Sequence, residues 1–246
     1  MRYSAPVTDL ALPADMPDAP LDQLLRTRHS CRGFLPDPVA PATLDWMLET
    51  AQRTPSWCNS QPWRVIITRG AATDRFRDAI TAHANPQPGT SQPFRPATPD
   101  YPFPREYRGV YLDRRRDCGF SLYRSVGVQR GDHAAGDRQR VENYRLFGAP
   151  HVAIVTTDEA LGVYGVLDCG AWVNNFMLAG HSRGVASIAQ AALAAYPDFL
   201  REYFGLGADR RVVCGIAFGH EDTAHPANSF RTPRAPIADA VTWVDD

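Results

Sequence analysis

Apolar residues recur along this chain at helical spacing in some stretches and as short β-branched runs in others. Residues 21–28 read as a helix, and residues 41–53 carry Leu44, Met47, Leu48 and Ala51 on one face, a stripe that stops before the Pro55-Ser56 turn. Residues 63–68, Trp-Arg-Val-Ile-Ile-Thr, predict a buried strand. A helix over 73–84 follows. Residues 85–104 are then so dense in proline that neither helix nor central strand is open to them, and an ordered cover or a lid is expected. Helical spacing returns over 105–145, with arginines set among Tyr107, Tyr111, Leu112, Phe120, Leu122, Tyr123 and Val126. A strand over 151–156, a long and almost wholly apolar helix over 166–181, a short helix over 196–204 and a strand over 211–219 complete the pattern. Strands separated by helices around one hydrophobic helix predict an α+β layered fold in a single domain from residue 21 onward. Residues 1–20, rich in Pro, Ala and Asp without a period, predict an N-terminal arm. Residues 85–130 are expected to form a cover inserted in the domain.

Composition narrows the partners. The formal net charge of -1 and the 44% hydrophobic content describe a globular chain with no overall field that would draw it to nucleic acid or an anionic membrane. A small molecule is the expected partner. All 26 basic residues are Arg, so Schiff-base lysine chemistry is excluded and any anion site must use guanidinium forks. Cys31, Cys58, Cys118, Cys169 and Cys214 are far apart, odd in number and without Cys-x-x-Cys spacing, which predicts reduced thiols in cytoplasm. No apolar run reaches the roughly 20 residues of a membrane helix, and the start lacks the apolar core of a signal peptide. The histidines lack ligand spacing with cysteines or carboxylates, and no metal site is expected.

Three polar patches carry candidate chemistry. In Arg28-His29-Ser30-Cys31-Arg32, two arginines and a hydroxyl can converge on one phosphate; arginines that merely compensate a helix dipole are the other reading. Pro55-Ser56-Trp57-Cys58-Asn59-Ser60-Gln61-Pro62-Trp63 is a helix-to-strand loop whose amides and hydroxyls suit the edge of a planar heterocycle, or an ordinary turn. Asn228-Ser229-Phe230-Arg231-Thr232-Pro233-Arg234 brings further guanidinium groups outside regular structure.

In this order the patches resemble the FMN-dependent nitroreductase family, over most of the chain from residue 21. The run Arg32-Gly33-Phe34-Leu35-Pro36-Asp37-Pro38-Val39, the Arg114-Arg115-Arg116 stretch, Asp168 and the segment leading to Gln190 are similar to its nitrobenzoate-reductase branch. The resemblance implies a three-layer α/β/α sandwich with a mixed sheet and a long central helix, forming a homodimer with FMN sites shared between subunits. It implies that Arg28, His29, Ser30, Arg231 and Arg234 contact phosphate and ribityl, and that Arg32 sits by the flavin pyrimidine edge. Pro55, Ser56, Trp57, Asn59 and Gln61 would approach the ring from the partner subunit, and Ala189, Gln190 and Ala191 would face flavin N5 and O4. The implied reaction is ping-pong hydride transfer from NADH or NADPH through flavin N5 to a nitroaromatic or similarly electron-poor compound, with no side chain required as acid or base. Trp57, Arg114, Arg115 and Tyr123 are the substrate-binding candidates; an arginine among them would hold a carboxylate. Trp57 and Cys58 stand where relatives often have small residues, and Ile188-Ala189 where many have Cys-Pro. Reductive dehalogenation and dehydrogenation are alternatives on the same fold.

Gly180-His181-Ser182-Arg183-Gly184 matches the Gly-x-Ser-x-Gly elbow of serine hydrolases, with Ser182 as nucleophile. An elbow needs a preceding strand, and the helical stripe upstream predicts a helix end instead. A flavin-binding protein without turnover is the third class.

Overall fold

A computed structural model of the protein describes residues 20–245. The expected arm, residues 1–20, lies outside them except for Pro20, which opens helix α1 (Pro20–Thr27). At the centre of the sheet is strand β2 (His151–Asp158), a run of apolar and β-branched residues buried on both faces. It pairs antiparallel with β1 (Arg64–Arg69) and with β4 (Arg210–Gly219), and β4 pairs antiparallel with β3 (Ala186–Gln190), in the order β1-β2-β4-β3.

The sheet is therefore antiparallel at every ladder, where a mixed one was expected. The reason lies in the order of insertion. β2 and β3 run in the same direction on either side of the 21-residue helix α6 (Gly162–Ser182), but β4 arrives later and pairs between them. The parallel contact that survives is an isolated bridge between Ser30 and Ser187 at the β3 edge.

Alternate residues of β2 feed two cores, as strand geometry requires. Ala153 and Val155 pack with Ile216 and Phe218 against α2 (Pro41–Ala51) and α6, through Met47, Trp172 and Phe176. Val152 and Ile154 face α3 (Ala71–Ala84) and α7 (Pro197–Phe204), through Phe76, Ile80 and Leu200. This is the three-layer α/β/α sandwich, and burying each such side chain contributes roughly 1.5–3 kcal/mol.

The helical spacing over 105–145 resolves into α4 (Gly109–Ser125) and α5 (His133–Val141). Between them Gly127 and Gly131 take left-handed φ of 74° and 90°, and Asp132 caps α5 by accepting from the Ala135 N–H at 2.8 Å. The proline-rich residues 85–104 lie as a strap along the α3 and α7 layer. Thr98 N–H donates to the Ala195 carbonyl and Tyr196 hydroxyl to the Arg95 carbonyl, both at 2.9 Å. The strap is pinned at Asp100, whose buried carboxylate accepts from Arg201 at 2.8 and 3.1 Å and from the Val212 N–H at 2.8 Å. Among the described residues no helix is long and apolar enough to cross a membrane.

Candidate cofactor site

The segment after α1 is held by backbone and by one asparagine. Cys31 N–H donates to the Ser187 carbonyl at 3.2 Å, laying the segment along β3. Buried Asn228 clamps it from the C-terminal side: its Oδ1 accepts from Arg32 N–H at 2.6 Å, and its Nδ2 donates to the Gly33 and Asp222 carbonyls, each at 2.9 Å. Gly33 lies so close to the His225 ring that a Cβ there would collide with it. Glycine is required at that crossing.

This clamp brings the first and third sequence patches together. Arg28, His29, Ser30 and Arg32 line one cavity of about 850 Å³ with Arg231 and Arg234, joined by Arg26, Cys118, Asn174 and Phe230. Its size falls within the roughly 300–1,000 Å³ of ligand clefts. No Asp or Glu is among the lining residues. Among the described residues no carboxylate forms an ion pair with Arg28, Arg32, Arg231 or Arg234. The guanidinium groups meet carbonyls instead: Arg32 donates to Ser30 O at 3.3 Å, Arg231 to Asn228 O at 2.7 Å, and Arg234 to Thr232 O at 3.1 Å. Burial, and then Arg234 nearby, lower the pKa of Arg28; burial lowers that of Arg32. Two guanidinium groups with lowered pKa values, Arg28 and Arg32, set among further arginines make a lining suited to an anion, because a bound dianion would supply counter-charge.

The second patch lies elsewhere. Cys58, Asn59 and Gln61 adopt left-handed φ of 49°, 56° and 46°, a conformation that costs non-glycine residues of order 1–3 kcal/mol each. The loop is held in that shape by Trp57 N–H donating to Asp168 at 3.0 Å, Gln61 N–H donating to Ser56 Oγ at 2.9 Å, and Gln52 joining the side chains of Gln61 and Trp63 at 2.9 Å each. Pro55 and Asn59 are exposed beside it, and Trp57 is 61% exposed, its ring 4.6 Å from that of Tyr164. At the end of β3, Ala189 and the next residue after the strand, Ala191, are exposed while Gln190 between them is buried. Gln190 Nε2 donates to Asn143 O at 2.8 Å, and its Oε1 has no partner among the described residues.

The four substrate candidates do not converge within the chain. Arg114 borders a 660 Å³ hollow that shares Cys118, Arg231 and Arg234 with the arginine cavity, and lies 3.5 Å from Asp239. Arg115 sits over the Tyr107 ring at 5.1 Å. Tyr123 faces a separate hollow between α4 and α5, with Phe120 and Arg140.

The family model described as the nitroreductase family matches residues 25–220. The chain belongs to this family. It is 33% identical over 243 residues to the nitroreductase NfnB of Mycolicibacterium smegmatis, covering 98% of this chain and 96% of that one. It is 32% identical to a 4-nitrobenzoate reductase of Nocardioides sp., covering 96% and 94%. The crystal structure of the FMN and NADPH-dependent nitroreductase NfnB from Sphigopyxis sp. strain HMH superposes with a TM-score of 0.84 at 32% identity, over 91% of this chain and 98% of that chain.

In this nitroreductase-family fold the hydrolase-like run does different work. Ser182 is the last residue of α6, and its hydroxyl donates to Ala179 O at 2.7 Å. The order is helix, turn, strand, the reverse of a nucleophile elbow. Sequence reasoning missed Cys118, Asn174 and Phe230 as lining residues and Asn228 as the clamp. Asn174 was signalled as a polar residue inside an apolar helix, and Asn228 and Phe230 by their place in the third patch, where only the arginines were singled out.

Proposed function

We propose that this chain is an FMN-dependent NAD(P)H oxidoreductase that reduces nitroaromatic compounds as a homodimer. The observation that carries the reading is the arginine cavity: among the described residues Arg28, Arg32, Arg231 and Arg234 have no carboxylate partner, and the segments that form it are two of the three that carry the resemblance to the family. Arg28, Ser30, Arg231 and Arg234 would hold the FMN phosphate, and Arg32 would place a buried positive charge beside the ring system. FMN, when bound, supplies the hydride acceptor and donor that no side chain here provides. NADPH is the favoured donor, since the Sphigopyxis relative is an FMN and NADPH-dependent nitroreductase.

The dimer is supported by an exposed apolar stripe on α6. Val163, Tyr164 and Leu167 are 74%, 52% and 65% exposed, and Tyr164 packs against Trp57, a face that a monomer would leave wet. A second copy packed there in a two-fold arrangement would bring the strained loop of residues 55–61 toward the partner's arginine cavity, joining the second patch to the other two. The chain's residues then position and exclude water; none needs to transfer a proton. The ping-pong order follows if donor and acceptor use one cleft in turn.

Purified protein should be yellow, should sediment as a dimer, and should oxidise NADPH in the presence of 4-nitrobenzoate. A colourless monomer labelled at Ser182 by a fluorophosphonate would overturn the reading. Bound FMN without turnover would restrict it to a flavin carrier. If Arg114 holds a carboxylate, Arg114→Ala should impair 4-nitrobenzoate more than nitrobenzene; equal loss removes that role.

A further inference from the structure

Beside the arginine cavity lies a smaller one of about 140 Å³ that shares Arg28 and His29 with it and adds His181 and Glu221. Neither of these last two lines the arginine cavity. Both grip its rim. Thr27 hydroxyl donates to Gln23 O at 2.7 Å, so its oxygen accepts from His181 Nε2, also at 2.7 Å. His29 Nε2 meets Glu221 Oε1 at 2.9 Å, which makes this nitrogen the donor. The other nitrogen, Nδ1, then points at Thr27 O from 3.5 Å. In neutral His29 that is a lone pair facing a lone pair; a proton there turns it into a second hydrogen bond.

We propose that Glu221 and His181 are positioning residues for the arginine cavity, acting through His29 and Thr27, and that they make its hold on a phosphate monoester proton-linked. The inference rests on the reading of that cavity as the FMN phosphate site. His181 faces Arg28 and His29 from the segment after α1 and Glu221 from the segment after β4; on its own helix end, Arg183 is held over the Trp46 ring at 4.2 Å. Burial, then His29, then Arg28 lower its pKa, and Glu221 opposes them. His29 has Glu221 as its ion-pair partner, Arg28 beside it in the chain and His181 across the small cavity. A dianion on Arg28 cancels one of the charges that repel a proton from the His181 imidazole. By reciprocity, a proton on that imidazole tightens the hold on the dianion.

The test is an NMR titration of the histidine imidazoles in flavin-free protein and again with saturating FMN. The His181 midpoint should rise with FMN by on the order of one pH unit. FMN affinity is then compared at about pH 8 and about pH 6 in wild type, His181→Gln and Glu221→Gln, with each variant's ratio divided by the wild-type ratio so that the ligand's own phosphate ionisation, with its pKa of about 6, cancels. His181→Gln keeps a donor to Thr27, so it should match wild type at the higher pH and lose about threefold to tenfold relative to wild type at the lower one. Glu221→Gln should lower the His181 midpoint in the flavin-free protein. An unchanged His181 midpoint with FMN, or a His181→Gln pH profile that overlies wild type, overturns the proposal. FMN that fails to bind wild-type protein at all overturns the functional reading instead.

Discussion

Two clusters of arginine in this molecule make opposite use of the same side chain. On the strap side, Arg201 and Arg211 converge on buried Asp100, with Asp198 and Glu159 as further partners. Those carboxylates raise both arginine pKa values, Asp100 foremost for Arg201 and Glu159 for Arg211. At the cavity, Arg28 and Arg32 are lowered by burial and, among the described residues, meet no carboxylate. The first cluster is closed on itself and holds the fold. On the reading proposed above, the second would be completed by an anion from outside, and its cost in the free protein would become affinity when that anion binds.

The comparison breaks most readily at Asp100. Asp100→Ala leaves the Val212 N–H unpaired and Arg201 with exposed Asp198 as its remaining carboxylate, and denaturant unfolding should show a loss of about 3 kcal/mol. FMN affinity of the folded fraction should stay as in wild type; a parallel loss of affinity would merge the two clusters into one. Next comes Arg28→Ala or Arg234→Ala, which should weaken FMN by about tenfold to a hundredfold, one charge-assisted bond's worth. The flavin-free variant should melt no lower than wild type, since a repelling charge has been removed. Raising salt from about 0.05 M to about 0.5 M should weaken FMN several-fold, while the melting point set by the buried Asp100 pair moves little.

The smallest effect concerns a buried group outside both clusters. His151 Nε2 accepts from Val39 N–H at 3.0 Å, and burial is the main cause of its lowered pKa. A lowered native pKa means that the unfolded chain binds the extra proton more readily, so stability rises with pH across this group's titration. The contribution should be complete above about pH 6.5 and fall away below it. Equal stability at pH 7.5 and pH 5 would contradict this.

Much of the fold was legible because the strands over 63–68, 151–156 and 211–219 are dense in β-branched residues, and α6 in apolar ones. β3 was not. Ala186-Ser187-Ile188-Ala189-Gln190 has one β-branched residue, and its strand state comes from pairing with β4. The break between α4 and α5 was marked by Gly127 and Gly131, but the helical spacing of the arginines ran on past it. Of the three left-handed residues in the second patch, only Asn59 is of a type that advertises the conformation. The arginines were visible one by one. Their closure into a single cavity was not, because it depends on Asn228 tying Arg32 to a loop nearly two hundred residues away.

The central claim is that the unpaired arginines form the seat of the FMN phosphate, and it is tested most directly by titrating flavin-free protein with FMN and with riboflavin, which lacks only the phosphate. FMN should bind at least about a hundredfold more tightly, and Arg28→Ala together with Arg234→Ala should erase most of that difference. Equal affinity for the two flavins, or an FMN preference that survives loss of both arginines, would contradict the account.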